Sequence, residues 1–136
     1  MASTDYSKTP LVKKLGLKTG LKTWLINPPD YYFELLGDVP PGIIWVGEET
    51  ESIDFIHLFA INTSFLEAKL PIAVHLLSKT GMLWISWPKK TSPLHQDLNG
   101  KHVRLAGLEA GLIDTKVCAL DVHWSGQRFM YRKTDR

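Results

Sequence analysis

The sequence predicts a three-layer α/β fold with a mostly parallel sheet and an antiparallel C-terminal hairpin. Three observations predict it. Apolar runs of strand length alternate with segments of helical period along the chain. Two of these runs, residues 54–61 and 82–87, are apolar on both faces, as strands covered by helices on both sides must be. The last two strand-like runs are separated only by a turn signal, which makes them an antiparallel pair.

Each element has its own local cause. Thr9-Pro10 opens a first helix, with threonine as N-cap and proline in the first helical position. Gly16 ends it, and Lys18-Thr19-Gly20 turns the chain into a buried strand over residues 22–26. Asp30 caps a second helix through Tyr31, Phe33, Leu35 and Leu36, stopped by Gly37. After the loop of residues 38–42, Ile43-Ile44-Trp45-Val46 forms the second strand, and residues 54–61 the third. Ser64-Phe65-Leu66-Glu67 is a capping box that opens a helix with Leu66, Leu70, Ala73, Val74 and Leu77 on one face, closed by Gly81. The strand 82–87 follows, then a helix from Asn99 to Ala110 stopped at Gly111. Residues 116–122 and 127–132 make the hairpin around Ser125-Gly126. With neither repeat nor linker, a single domain over residues 1–136 is expected, with right-handed crossovers.

Composition narrows the functional classes. The 136 residues are 44% hydrophobic, enough for one ordinary core. No apolar run approaches the roughly 18–20 residues that span a bilayer, and residues 1–15 lack the apolar centre of a signal peptide, so a cytoplasmic protein is expected. The single cysteine, Cys118, has no internal disulfide partner, which fits a reducing compartment, and in a buried strand it is expected to be inert packing. The net charge of +2 is too small to argue for nucleic acid, but its distribution is uneven. Residues 1–22 carry five lysines against Asp5, residues 23–68 carry eight acids with no lysine or arginine, and residues 89–136 carry nine bases against five acids. Histidines 57, 75, 95, 102 and 123 show no metal-ligand spacing, and no metal is expected. His57, inside an apolar strand, is expected to be a hydrogen-bonded core residue.

Three stretches carry a resemblance. Residues 81–90 (Gly-Met-Leu-Trp-Ile-Ser-Trp-Pro-Lys-Lys), 111–119 (Gly-Leu-Ile-Asp-Thr-Lys-Val-Cys-Ala) and Trp124-Ser125-Gly126 resemble the bacterial family designated domain of unknown function 3052, over about Tyr6 to Arg132. At fold level that family is similar to the S-adenosylmethionine-dependent methyltransferases, whose sheet also ends in an antiparallel hairpin. The resemblance implies a three-layer Rossmann-like, methyltransferase-type architecture.

In an open α/β sheet ligands bind at the carboxyl ends of the strands, where the strand order reverses. Here the first strand runs into Asn27-Pro28-Pro29-Asp30, and no glycine occurs between Gly20 and Gly37. Two prolines remove two N–H donors, and Asp30 puts a negative charge where a phosphate would sit. Both features argue against dinucleotide binding and bear less on S-adenosylmethionine, which needs no phosphate contact. Asn27-Pro28-Pro29-Asp30-Tyr31 also resembles the Asn-Pro-Pro-aromatic motif of amino-group methyltransferases, with Asp30 in the aromatic place and Tyr31 displaced by one. The alternative is a rigid strand-to-helix turn capped by Asp30.

Ser86-Trp87-Pro88-Lys89-Lys90 ends a central strand, where lysines and an indole suit an anion and a planar group. Trp87, Lys89, Lys90, Trp124 and Arg128, with Ser125 nearby, are the candidate basic-aromatic site, and Asn27 the candidate at the first strand; the alternative has the tryptophans in the core and the lysines in solvent. The leading expectation is a non-catalytic, degenerate methyltransferase-like domain that holds no cofactor and binds a protein or small anionic ligand at the carboxyl edge. The alternative is a divergent S-adenosylmethionine-dependent methyltransferase using Asn27, Glu48 and Glu49; an acid after the second strand holds the ribose hydroxyls in the enzymes it resembles. A further alternative is weak, salt-sensitive nucleic-acid binding through the basic termini, with five tryptophans available to stack.

Overall fold

In the computed structural model, which describes residues 9–136, helices cover both faces of one six-stranded sheet. The elements are α1 (Leu11–Leu15), β1 (Lys22–Ile26), α2 (Tyr32–Leu36), β2 (Ile44–Trp45), β3 (Ile53–Phe59), α3 (Thr63–Leu76), β4 (Leu77–Pro88), α4 (Gly100–Glu109), β5 (Leu112–Ala119) and β6 (Trp124–Tyr131). The strand order is β2-β1-β3-β4-β6-β5. β2, β1, β3 and β4 are mutually parallel, and β6 pairs antiparallel with both β4 and β5. This is the α/β architecture with an antiparallel hairpin that the alternation of apolar runs predicts. Asp5, Tyr6 and Lys8, which belong to the basic N-terminal segment and the start of the family resemblance, lie outside the described residues.

Strand alternation divides the core in two. Ile56 and Leu58 of β3 and Leu83, Ile85 and Trp87 of β4 point to one face, under Leu66, Leu70, Ala73 and Leu76 of α3 and Val103 of α4. Phe55, Phe59 and Trp84 point to the other, with Leu11, Val12 and Leu15 of α1 and Tyr32 and Leu36 of α2. β3 and most of β4 are buried on both faces, as central parallel strands should be.

Several boundaries differ from expectation, each for a tertiary reason. The α3 cap is Asn62 rather than Ser64; its side chain accepts from Phe65 N at 2.8 Å. Asp30 does not cap α2, whose N-cap is Tyr31. Gly81 does not stop α3: the helix passes at Leu77 straight into β4, and Gly81 lies inside that strand. A Cβ on Gly81 would stand 2.9 Å from both the Ile53 and Asp54 carbonyl oxygens, where the β3–β4 register shifts. Ser125 and Gly126 lie within β6, and the hairpin turns instead at Asp121, whose Oδ1 accepts from both His123 N and Trp124 N at 2.8 Å. Gly126 is needed because a Cβ there would meet Leu120 Cδ1 at 2.8 Å and Ser86 Oγ at 3.1 Å.

Gly107, in mid-α4, marks the tightest helix-to-sheet approach: a Cβ would stand 2.2 Å from Phe129 Cε2. Alanine favours a helix interior over glycine by roughly 1 kcal/mol. Overpacking against the fully buried Phe129 outweighs this, so Gly107→Ala is expected to lower stability by about 1–3 kcal/mol. Urea unfolding measures it; an unchanged midpoint would show that the Phe129 ring can turn aside.

Candidate functional site

The strand order reverses between β1 and β3: the chain leaves β1 for β2 on one side and returns as β3 on the other. Their carboxyl ends therefore flank the crevice where open α/β sheets bind ligands. Asn27, the first residue past β1, has φ +57°, the left-handed conformation that glycine adopts freely and asparagine tolerates better than most residues. Its Nδ2 donates to the Phe59 carbonyl at 3.2 Å, tying the carboxyl end of β1 to that of β3. Pro29 O accepts from Tyr32 N at 3.0 Å, which turns the chain into α2.

Glu48 and Glu49 follow β2, whose last residue, Trp45, pairs with Thr23 of β1, and both are exposed. Glu49 folds back so closely that a Cβ on Gly47 would stand 2.7 Å from its Oε2. Exposed Asp30 follows β1, whereas Glu51 lies at the amino end of the sheet, its carbonyl accepting from Lys22 Nζ at 3.2 Å.

The residues of the expected basic-aromatic site are only partly brought together. Trp87, Lys89, Lys90 and Ser125 line one cavity of about 270 Å³ at the carboxyl end of β4, with His95 and Gly100. Trp124 packs into the opposite face, with its ring edge-on to Phe59 at 5.0 Å. Arg128 is not at this edge. It pairs with Trp84 in mid-sheet, four residues along β6 from Trp124, and its Nε donates to Thr115 Oγ1 at 2.8 Å. Four residues of strand carry it roughly 13 Å away. Trp87 and Trp124 are both core side chains, so the expected single cluster is corrected to two lysines beside one indole edge.

Sequence reasoning missed the surroundings of both tryptophans. The Tyr31 hydroxyl lies beside the Asp121 carboxylate and the Trp124 indole, and burial followed by Asp121 pushes its pKa up. Beneath the crevice Tyr32 Oη meets His57 Nδ1 at 2.9 Å, and His57 Nε2 meets Ser86 Oγ at 2.7 Å. All three residues are buried. Burial pushes His57 down to about 3, so the ring is neutral and serves as donor to one partner and acceptor to the other. No local sequence signal names these partners. By contrast, His95 and Gly100 were within reach of the sequence, since the helix after a parallel strand starts at that strand's carboxyl edge. Cys118 is buried and its thiol is pushed up by burial, which suits inert packing.

A larger cavity, about 620 Å³, lies among Val12, Lys13, Gly16, Leu17, Thr19 and Asp38. Its loops precede β1 and β2, so it opens at the amino ends of the strands, away from the crevice. No helix among the described residues is long and apolar enough to cross a membrane.

No family model matches the chain, and no curated protein matches it in sequence. Solved structures do match in fold. An S-adenosylmethionine-dependent methyltransferase from Aquifex aeolicus superposes with a TM-score of 0.60 at 15% identity, over 89% of this chain and 87% of that one. A precorrin-6y C5,15-methyltransferase from Geobacter metallireducens gives 0.60 at 11%, over 90% and 86%. The magnesium protoporphyrin IX methyltransferase from Synechocystis, with bound S-adenosylhomocysteine, gives 0.60 at 10%, over 90% and 78%. At such identities the likeness is one of fold. The expectation of no cofactor is nevertheless corrected: the first of these neighbours is S-adenosylmethionine-dependent and the third holds S-adenosylhomocysteine, and they point to that cofactor rather than to none. The chain is a Rossmann-like α/β protein with the methyltransferase fold.

Proposed function

We propose that this chain is a divergent S-adenosylmethionine-dependent methyltransferase that holds its donor at the β1–β3 crevice. Membership of the domain of unknown function 3052 family is part of the proposal, resting on the stretches 81–90, 111–119 and 124–126. The fold neighbours lend more to this reading than to a non-catalytic domain.

The observation that carries it is the edge itself. Asn27 takes a glycine-like left-handed conformation at the first turn, bonded across to β3, and Glu48 and Glu49 follow the end of β2, whose last residue, Trp45, pairs with Thr23 of β1. Those residues fit the donor in charge and in kind. S-adenosylmethionine carries a sulfonium and an ammonium against one carboxylate, and acidic surroundings that would repel a phosphate suit it. A carboxylate is also a good acceptor for a ribose diol. The fit is poorest at the amino-acid end of the donor, where Pro28 and Pro29 offer no N–H.

On this reading Glu48 and Glu49 hold the ribose hydroxyls, while Asn27 fixes the floor of the crevice through Phe59 and leaves its carboxamide oxygen to accept. Bound, the donor supplies an electrophilic methyl group on a sulfonium. The chain's task is then to orient and desolvate an acceptor beside it.

Calorimetric titration tests the reading. Saturable binding of S-adenosylmethionine and S-adenosylhomocysteine is expected, weakened at least tenfold in the Glu48→Ala/Glu49→Ala variant, about 1.4 kcal/mol. Absence of any binding at millimolar ligand would end it.

A further inference from the structure

We infer that Tyr31, Asp121 and Trp124 form a binding site for the neutral hydroxyl group of a small organic molecule at the carboxyl edge of the sheet. Hydroxyl binding itself needs no methyl donor; that the bound hydroxyl is the methyl acceptor rests on the reading proposed above.

Two buried polar atoms without partners point to a ligand. Trp124 is only 5% exposed, yet its Nε1–H has no hydrogen-bond partner among the described residues, and the Tyr31 hydroxyl, also buried, has none either. The two belong to one place. Tyr31 packs against the core cluster that holds Trp124, and its hydroxyl lies beside the indole and the Asp121 carboxylate without meeting either in hydrogen-bond geometry. Trp84, the other buried indole on this face, does have its acceptor, Leu15 O at 2.8 Å. Folded chains rarely leave such atoms unpaired, because burial strips their water and returns nothing.

The three side chains are held by their own backbone. Asp121 Oδ1 accepts from His123 N and Trp124 N, both at 2.8 Å, which leaves Oδ2 without a donor among the described residues. Trp124 O accepts from Leu120 N at 2.9 Å, closing the hairpin turn, and Tyr31 O accepts from Leu35 N at 3.0 Å at the start of α2. The place adjoins the β1–β3 crevice through one residue. The Trp124 ring stands edge to face with Phe59 at 5.0 Å, and Asn27 Nδ2 bonds the carbonyl of that same Phe59.

Donors and acceptors together set the ligand class. The indole N–H needs an acceptor, the carboxylate oxygen needs a donor, and the phenol can serve as either. A single atom that both accepts and donates satisfies all three, and a hydroxyl oxygen is such an atom. A carboxylate or phosphate would suit the indole but be repelled by Asp121. An ammonium would suit Asp121 but has no lone pair for the indole N–H.

The test is a titration of 15N-labelled protein with phenol in the absence of S-adenosylmethionine, so that this site and the donor site can fail separately. A saturable shift is expected at the Trp124 indole N–H, identified as the signal missing from Trp124→Phe. Toluene, which has the shape without the hydroxyl, should leave that signal in place. Cyclohexanol titrated alongside separates a phenol from an aliphatic alcohol by which binds more tightly. Tyr31→Phe and Asp121→Asn should each weaken phenol binding at least tenfold. Both variants keep the fold, since the Tyr31 hydroxyl bonds no described residue and asparagine retains an oxygen for the two backbone N–H groups; their spectra check this. Thermal unfolding of Tyr31→Phe distinguishes an organic hydroxyl from a fixed water: an unchanged or higher midpoint is expected. A lower midpoint with phenol binding undiminished would give the place to a structural water and overturn the site. Shifts that do not saturate, or that toluene reproduces, overturn it as well.

Discussion

Between pH 8 and pH 5 this protein is expected to lose about 2 kcal/mol of stability through His57 alone. The folded chain holds the ring neutral with a pKa near 3, because charging it inside the sheet would strip an imidazolium of water; unfolded, it titrates near 6.5. Between those values the unfolded state binds more protons, so stability rises with pH. The contribution is fully present above 6.5, falls away as the pH drops through 6.5, and keeps falling until about 3. Urea unfolding at pH 5, 6, 7 and 8 gives the slope. His57→Gln isolates the residue: it should be less stable at pH 8, having disturbed the bonds to Tyr32 and Ser86, and its dependence over the same range should be flatter. Equal slopes in the two proteins would mean that His57 is not the group responsible.

Trp84→Ala should be more damaging still, at about 3–5 kcal/mol. Trp84 is fully buried between β3 and β6, and its removal leaves a large void under α1. It is also the tie that fastens α1, since its Nε1–H donates to Leu15 O at 2.8 Å. Trp84→Phe refills much of the space but leaves that carbonyl without its partner, and a loss of about 1–3 kcal/mol is expected. Thermal unfolding of the three proteins separates the effects. A phenylalanine variant as stable as the parent would show that water reaches Leu15 O.

The order of helices and strands was legible because each core strand is apolar on both faces and each long helix has a polar side. Asn99 and Gly111 were legible as helix ends because both act locally, through a side-chain cap and a left-handed glycine. Gly81 and Gly126 were misassigned for the opposite reason. Neither has positive φ; each is small because a neighbouring strand or side chain comes close, and that closeness belongs to the folded pair. The same limit governs the candidate residues. Asn27, Glu48 and Glu49 stand where the topology placed them, at the ends of parallel strands. Trp87 and Trp124 both follow from strand positions, yet the antiparallel register sets Pro88 opposite Trp124 and sends the two indoles to opposite faces. Arg128 was misjudged because distance along a strand was not counted. The partners of His57 lie 25 and 29 residues away, beyond any local pattern.

The two outer margins of the sheet have a bearing on how the molecule behaves in a crowded solution. β2 offers only two residues of ladder, and exposed Phe33 closes over its Trp45, edge to face at 5.5 Å. At the far margin β5 is interrupted by a register shift between Asp114 and Lys116, and Lys116 reaches away to Lys14 O. A margin that is very short, or kinked and charged, makes a poor template for a strand from another molecule. Exposed Ile44 and Val117 are therefore sticky side chains on edges that cannot easily be extended. The sheet stops growing at six strands without a barrel to close it.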